Sequence, residues 1–114
     1  MGASKTDVFT EKQNQMANLA KAIGHPARVA IIEFLLKQDS CICKDIVDEL
    51  PLSQPTISQH LRELKNVGLI KGNIEGNTVC YCLDKTGFQN LMDFSSSVLQ
   101  KLDKPNIELS LIHI

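Results

Sequence analysis

One run constrains this chain more than any other: Leu52-Ser53-Gln54-Pro55-Thr56-Ile57-Ser58-Gln59-His60-Leu61-Arg62-Glu63-Leu64. Ile57, Leu61 and Leu64 recur at helical spacing and define one apolar stripe. Ser53 is placed to cap that helix by accepting from a free backbone N–H of its first turn. Pro55 falls within the same turn, where a missing N–H costs little. Away from the stripe lie Gln54, Pro55, Ser58, Gln59 and Arg62. A helix that only covered a core would more often carry Lys and Glu there. Neutral hydrogen-bonding groups with one arginine are the chemistry that reads base edges in duplex DNA.

The rest of the chain supplies a small frame for such a helix. Thr10 and Gln13 have capping-box spacing. Met16, Leu19, Ala20 and Ile23 then mark a first helix that stops at Gly24. Pro26 opens a second, with Val29, Ile32, Leu35 and Leu36 apolar, running to about Lys37. A short third helix is expected over residues 44–50, ended by Pro51, and the Ser53 helix follows, with Gly68 suited to a left-handed cap. After Gly68 the period changes. Residues 69–74 and 78–83 are short β-type runs joined by Glu75-Gly76-Asn77, a hairpin signal. Thr86 opens a last helix, with Phe88, Leu91, Met92, Val98, Leu99 and Leu102 apolar, expected to stop at Lys104-Pro105.

The expected fold is therefore mainly α with a small antiparallel hairpin: a winged helix-turn-helix of five helices plus wing. The domain spans residues 10–104, with a loose arm at 1–9 and an apolar tail at 105–114. The tail's Ile107, Leu109, Leu111 and Ile112 leave open an added strand, packing on a dimer, or contact with a partner. The Ser53 helix would enter a major groove. Lys71, Asn73, Asn77 and Thr78 on the hairpin would touch phosphates or the adjacent minor groove.

Net charge is −1 over 114 residues, which excludes a nonspecific polycation but not local positive clustering. Arg62, Lys65 and Lys71 supply that cluster, while Asp45, Asp48 and Glu49 lie just ahead of it. No run approaches the ~18 apolar residues of a membrane span. The first fifteen residues lack a signal-peptide core, so the expected compartment is the cytoplasm. No nucleophile beside a base, phosphate-cradling glycine loop or carboxylate pair is present. Neither catalysis nor a small-molecule substrate is expected.

Three runs resemble the arsenical-resistance repressor (ArsR) family of winged-helix regulators. They are Ala22-Ile23-Gly24-His25-Pro26-Ala27-Arg28, the Ser53–Leu61 run continued by Leu64 and Val67-Gly68-Leu69-Ile70, and Gly76-Asn77-Thr78-Val79-Cys80-Tyr81-Cys82-Leu83. The resemblance implies a homodimer held by the first and last helices, binding a palindromic operator in double-stranded DNA and released by a metal or other signal. It places DNA contacts on Ser53, Gln54, Thr56, Ser58, Gln59 and His60, although His60 also suits a partly buried helix histidine. Arg62 and Lys65 beside them suit phosphates, or a solvated face.

Four cysteines fall into two Cys-x-Cys pairs, Cys41/Cys43 and Cys80/Cys82. Cys41-Ile42-Cys43 is similar to the Cys-Val-Cys signature of soft-ion sensors in that family, and thiolates suit such ions. Departures are plain: Ile46 replaces a third cysteine, and N-terminal cysteines are missing. A second family site, opening Asp-x-His, meets Asp93 but Ser95. If residues 40–42 lie as a strand beside residues 78–83, the two pairs come together. The sulfurs could then hold arsenite, cadmium, lead or zinc, or form a disulfide. Free cysteines are also common small core residues, and Cys80 and Cys82 suit fillers on an exposed strand face. Two other functional classes stay open: a winged-helix module that binds protein through the Ser53 helix, and a thiol metal buffer. Large apolar residues on that helix's outer face would favour the first, and none is present.

Overall fold

The computed structural model describes residues 8–38, 40–42, 50–75 and 78–113. Four helices and a hairpin follow in order: α1 (Glu11–Ile23), α2 (Pro26–Leu36), α3 (Gln54–Asn66), β1 (Ile70–Glu75), β2 (Thr78–Leu83) and α4 (Lys85–His113). The expected short helix at 44–50 falls almost wholly outside the described residues, as does Asn77.

Local chemistry explains most boundaries. Thr10 and Gln13 form the reciprocal capping box at the start of α1. Gly24 caps its end, donating to the Ala20 and Lys21 carbonyls. At α2, Pro26 occupies the first turn and His25 Nδ1 accepts from the Ala27 N–H at 3.1 Å. α3 ends in a Schellman turn. Gly68 has φ +80° and donates to the Lys65 carbonyl at 3.1 Å, while Leu69 donates to the Leu64 carbonyl at 3.0 Å. Leu64 and Leu69, the apolar pair such a turn brings together, are both fully buried.

Three expectations change. Ser53 stands at the cap of α3, yet its hydroxyl makes no bond to the helix backbone. It pairs with the Thr56 hydroxyl at 2.9 Å. β1 begins and ends one residue later than expected, because the Schellman turn uses Leu69. The last helix does not stop at Lys104-Pro105 but runs to His113. A proline forfeits one backbone bond and crowds the preceding turn, and here that local cost does not end the helix.

Leu19 and Ala22 of α1, Ile31 and Leu35 of α2, and Ile57, Leu61 and Leu64 of α3 join Leu69 and Ile70 in one core. β1 and β2 pair antiparallel with Lys71 opposite Cys82, Gly72 opposite Tyr81 and Asn73 opposite Cys80. On the other edge of β2, Ile42 bridges antiparallel to Tyr81. Residues 40–42 thus lie beside the hairpin, the arrangement expected to bring the cysteine pairs together.

Candidate nucleic-acid interface and thiol pair

α3 is anchored from behind. Ile57, Leu61 and Leu64 are 2%, 7% and 0% exposed, and each contributes about 2 kcal/mol of burial. The opposite side is open: Ser53, Gln54, Pro55, Thr56, Gln59, Arg62 and Lys65 are exposed, and Ser58 is half-buried. Among the described residues, none of the exposed large apolar side chains belongs to α3. Arg62 Nη1 donates to Gln59 Oε1 at 2.9 Å, and Gln59 Nε2 donates to Glu63 Oε1 at 3.2 Å. These bonds hold the polar row over the helix surface until a better partner replaces them. Lys71 is exposed on the hairpin, and the Lys65 ammonium lies over Gly72. Three cations thus flank the polar ridge.

His60 does not join that ridge. It is 7% exposed and accepts at Nδ1 from Arg28 Nε at 3.0 Å. Its ring stands edge-on to that of His25, centroids 4.5 Å apart. Burial holds the His60 imidazolium below its ordinary pKa, and the positive charges of His25 and Arg28 push the same way. The neutral ring is the form that accepts from Arg28. Arg28 Nη1 also donates to the Ala22 carbonyl at 3.3 Å. One guanidinium therefore ties the end of α1 and the start of α2 to α3 and sets the tilt of the polar ridge. Sequence gave Arg28 no role. The single signal available was the basic residue near the start of α2, and its partner lies 32 residues away.

The start of α4 is fixed to the turn after α3 by a close backbone junction. Asp84 accepts from the Thr86 N–H at 3.0 Å, capping α4. That bond, ahead of weaker effects, holds the Asp84 carboxyl below its ordinary range. The Gly87 N–H, which would otherwise lack a partner in the first turn, donates to the Gly68 carbonyl at 2.8 Å. A methyl group on Gly87 would come within 2.5 Å of that oxygen. Gly87 is a positioning residue that sequence reasoning missed.

Beside Ile42 the thiols meet. Cys41 and Cys82 are joined by a disulfide, with Cα atoms 4.5 Å apart. Cys80 is also disulfide-bonded and fully buried, not a filler on an exposed face. Cys43 lies outside the described residues. Asn73 Nδ2 donates to Cys41 Sγ at 3.8 Å.

A polar helix backed by a core and followed by a two-stranded hairpin is the architecture of winged-helix DNA-binding proteins. The signature of the bacterial regulatory protein arsR family matches residues 25–71. The chain is 34% identical over 91 residues to a cadmium resistance transcriptional regulatory protein (CadC homologue) of Staphylococcus aureus, spanning 79% of this chain and 74% of that protein. It is 33% identical over 88 residues to the transcriptional repressor SdpR of Bacillus subtilis, spanning 77% and 97%. An ArsR-like transcriptional regulator from Rhodococcus sp. RHA1 shares the fold, with a TM-score of 0.75 over 90% of this chain and 96% of that one, at 17% identity. The chain belongs to the arsR family of bacterial regulatory proteins. It is a DNA-binding helix-turn-helix repressor of that type and not an enzyme. Among the described residues no helix is long and apolar enough to cross a membrane.

Proposed function

We propose that the chain acts in the cytoplasm as a homodimer that presents two α3 ridges to successive major grooves of a palindromic operator. A signal directed at its cysteines, a thiophilic ion or an oxidant, releases it. The observation that carries this reading is the exposed, mostly uncharged face of α3, held out by three buried aliphatic side chains and flanked by cations. Gln54, Thr56, Ser58 and Gln59 would meet base edges, while Ser53, Arg62, Lys65 and Lys71 would meet phosphates.

The pairing of two copies is supported by α4. Met92, Phe94, Val98, Leu99 and Leu102 are all between 42% and 62% exposed there, and Val8 and Phe9 stand exposed just ahead of α1. An isolated domain has no use for so much open aliphatic and aromatic surface on one helix. Two-fold pairing would set the ridges ~34 Å apart, one turn of duplex. The cadmium resistance named for the Staphylococcus aureus relative supports a thiophilic ion as one form of the signal.

The test is binding to the promoter upstream of the chain's own gene, followed by fluorescence anisotropy. Gln54→Ala and Ser58→Ala should each cost about 1–3 kcal/mol of specific affinity. Unchanged affinity in both variants removes the assignment of the reading face. Sedimentation should give twice the chain mass at working concentration, and a monomer on DNA would overturn the two-fold arrangement.

A further inference from the structure

The disulfide between Cys41 and Cys82 sits in a setting that makes it easy to form and to break. Ile42 and Tyr81 exchange both backbone bonds, Ile42 N–H to the Tyr81 carbonyl at 2.8 Å and Tyr81 N–H to the Ile42 carbonyl at 2.9 Å. In antiparallel pairing the next residues out form the non-hydrogen-bonded pair, with Cα atoms about 4.5 Å apart. That is the separation found between Cys41 and Cys82, and it lies within the range a disulfide accepts. Backbone pairing alone therefore holds the two sulfurs within bonding reach, and neither redox state requires the strands to move apart.

The pair is also accessible. A surface pocket of about 360 Å³ opens onto both cysteines, lined by Leu35, Leu36, Gln38, Ser40 and Leu83. Its size suits one half of a small disulfide lying over the aliphatic floor. Asn73 donates to Cys41 Sγ, a bond that favours negative charge on that sulfur. Lys71 is the cross-strand partner of Cys82 and projects on the same face of the sheet.

We propose that Cys41 and Cys82 are a thiol–disulfide exchange site whose reactant is a low-molecular-weight disulfide received in this pocket. The proposal rests on the DNA-binding reading in one respect: a protein that works on DNA sits among reduced thiols, where a disulfide is a transient, signalling bond. In the forward direction the Cys41 thiolate attacks one sulfur of RS–SR, forming Cys41–S–S–R and expelling RS⁻. The Cys82 thiolate then attacks the Cys41 sulfur of that mixed disulfide and expels the second RS⁻. The two protein protons end on the two departing thiols. The protein loses two electrons and the small disulfide gains them.

The bond closes a loop with a sequence separation of 41 residues. That loop contains α3 and β1, the whole of the DNA-reading face. Oxidation of this pair thus adds a covalent tie between the base of the hairpin and the segment leading into the reading unit, in addition to the two Ile42–Tyr81 backbone bonds and the separate disulfide at Cys80, and reduction removes that tie as the protein settles on DNA. The oxidised chain is the weaker binder.

The test uses the full chain equilibrated in glutathione and glutathione disulfide at varied ratios. Alkylation and peptide mass mapping follow the thiols, and operator anisotropy follows DNA binding. A Cys41–Cys82 cross-link should rise and fall reversibly with the ratio. Cys82→Ser should trap glutathione on Cys41, and Cys41→Ser should trap less on Cys82. The oxidised chain should bind its promoter at least about tenfold more weakly, and Cys41→Ser should lose the part of that response carried by the Cys41–Cys82 bond, keeping only what the disulfide at Cys80 contributes. A cross-link that resists reduction in the folded chain, or equal affinity in both states, overturns the proposal. Release by cadmium without release on oxidation overturns it also, in favour of a bound ion. If the fully reduced chain fails to bind its promoter, the repressor reading falls, while mass mapping still decides the exchange chemistry. Circular dichroism of both variants under reducing conditions establishes that they fold.

Discussion

Gly87→Ala is the substitution that most directly tests how this fold aims its reading helix. The added methyl would sit 2.5 Å from the Gly68 carbonyl oxygen, 2.8 Å from the Gly68 carbonyl carbon and 2.8 Å from Leu69 Cδ2. Ordinary carbon contacts lie near 3.5–4.0 Å, so the start of α4 must retreat by about 1 Å. Two of the three obstacles are backbone and cannot rotate away. The retreat stretches the Gly87 N–H to Gly68 carbonyl bond from 2.8 Å beyond useful range, at about 0.5–1.5 kcal/mol. Overpacking adds about 1–3 kcal/mol. Against this, alanine is favoured over glycine in a helix by at most about 1 kcal/mol, and less in a first turn. The clash wins, with a net loss of about 1–4 kcal/mol. For a domain of this size that lowers the melting temperature by about 5–20 °C.

Gly68→Ala is the control, because it fails for a different reason. Among the described residues the space around Gly68 is open, with Gly87 N at 3.9 Å the single near atom, but its φ is +80°. A left-handed alanine costs about 1 kcal/mol, so Gly68→Ala should be the milder change. Thermal melts followed by circular dichroism rank the three proteins. Operator binding, measured well below the transition, should also weaken in Gly87→Ala, because the displaced junction re-aims α3 against α4, where the second copy is proposed to pair. A Gly87→Ala protein as stable as the parent, or more stable than Gly68→Ala, refutes the argument.

Other expectations are simpler to state. Leu64→Ala removes a fully buried side chain and should cost about 2–5 kcal/mol in urea unfolding; a loss under about 1 kcal/mol would mean that α3 is not anchored there. Burial, with His25 and Arg28 adding to it, lowers the His60 pKa in the folded chain. The unfolded chain therefore binds more protons below about pH 6.5. The stability contributed by neutral His60 is complete above that value and declines as pH falls through it toward the lowered folded value. His60→Gln keeps an acceptor for Arg28 without titrating, so its melting temperature should vary less between pH 7 and pH 5; identical slopes in the two proteins would rule out His60 as the source. Arg62→Ala and Lys65→Ala should weaken binding to operator and random DNA alike and reduce the salt dependence by about one charge each, whereas loss confined to the operator would make them base readers.

What could be read from the sequence follows how far each determinant reaches along the chain. The capping box at Thr10, the stop at Gly24, the start at Pro26 and the left-handed Gly68 depend on neighbours within a turn, and all four fall where expected. The two-residue spacing of the cysteines carried further, because alternation in a strand fixes which side chains share a face once the partner strand is guessed. Ile42 opposite Tyr81 then makes Cys41 and Cys82 neighbours. The apolar stripe and neutral polar face of the Ser53 run marked the DNA-facing helix, and the resemblance then put His60 among its DNA contacts. That residue's fate is set by Arg28, brought to it by the packing of α2 on α3, and no local pattern announces such a bond. Gly87 is hidden for the same reason: a glycine in the first turn of a helix reads as a weak position until another backbone is seen lying against it. Pro105 shows the opposite failure, a strong local signal outweighed by continuity of the helix on both sides. The residues that present the ridge to DNA are thus legible in the chain, while those that aim it, Arg28 and Gly87, exist as determinants only in the folded molecule.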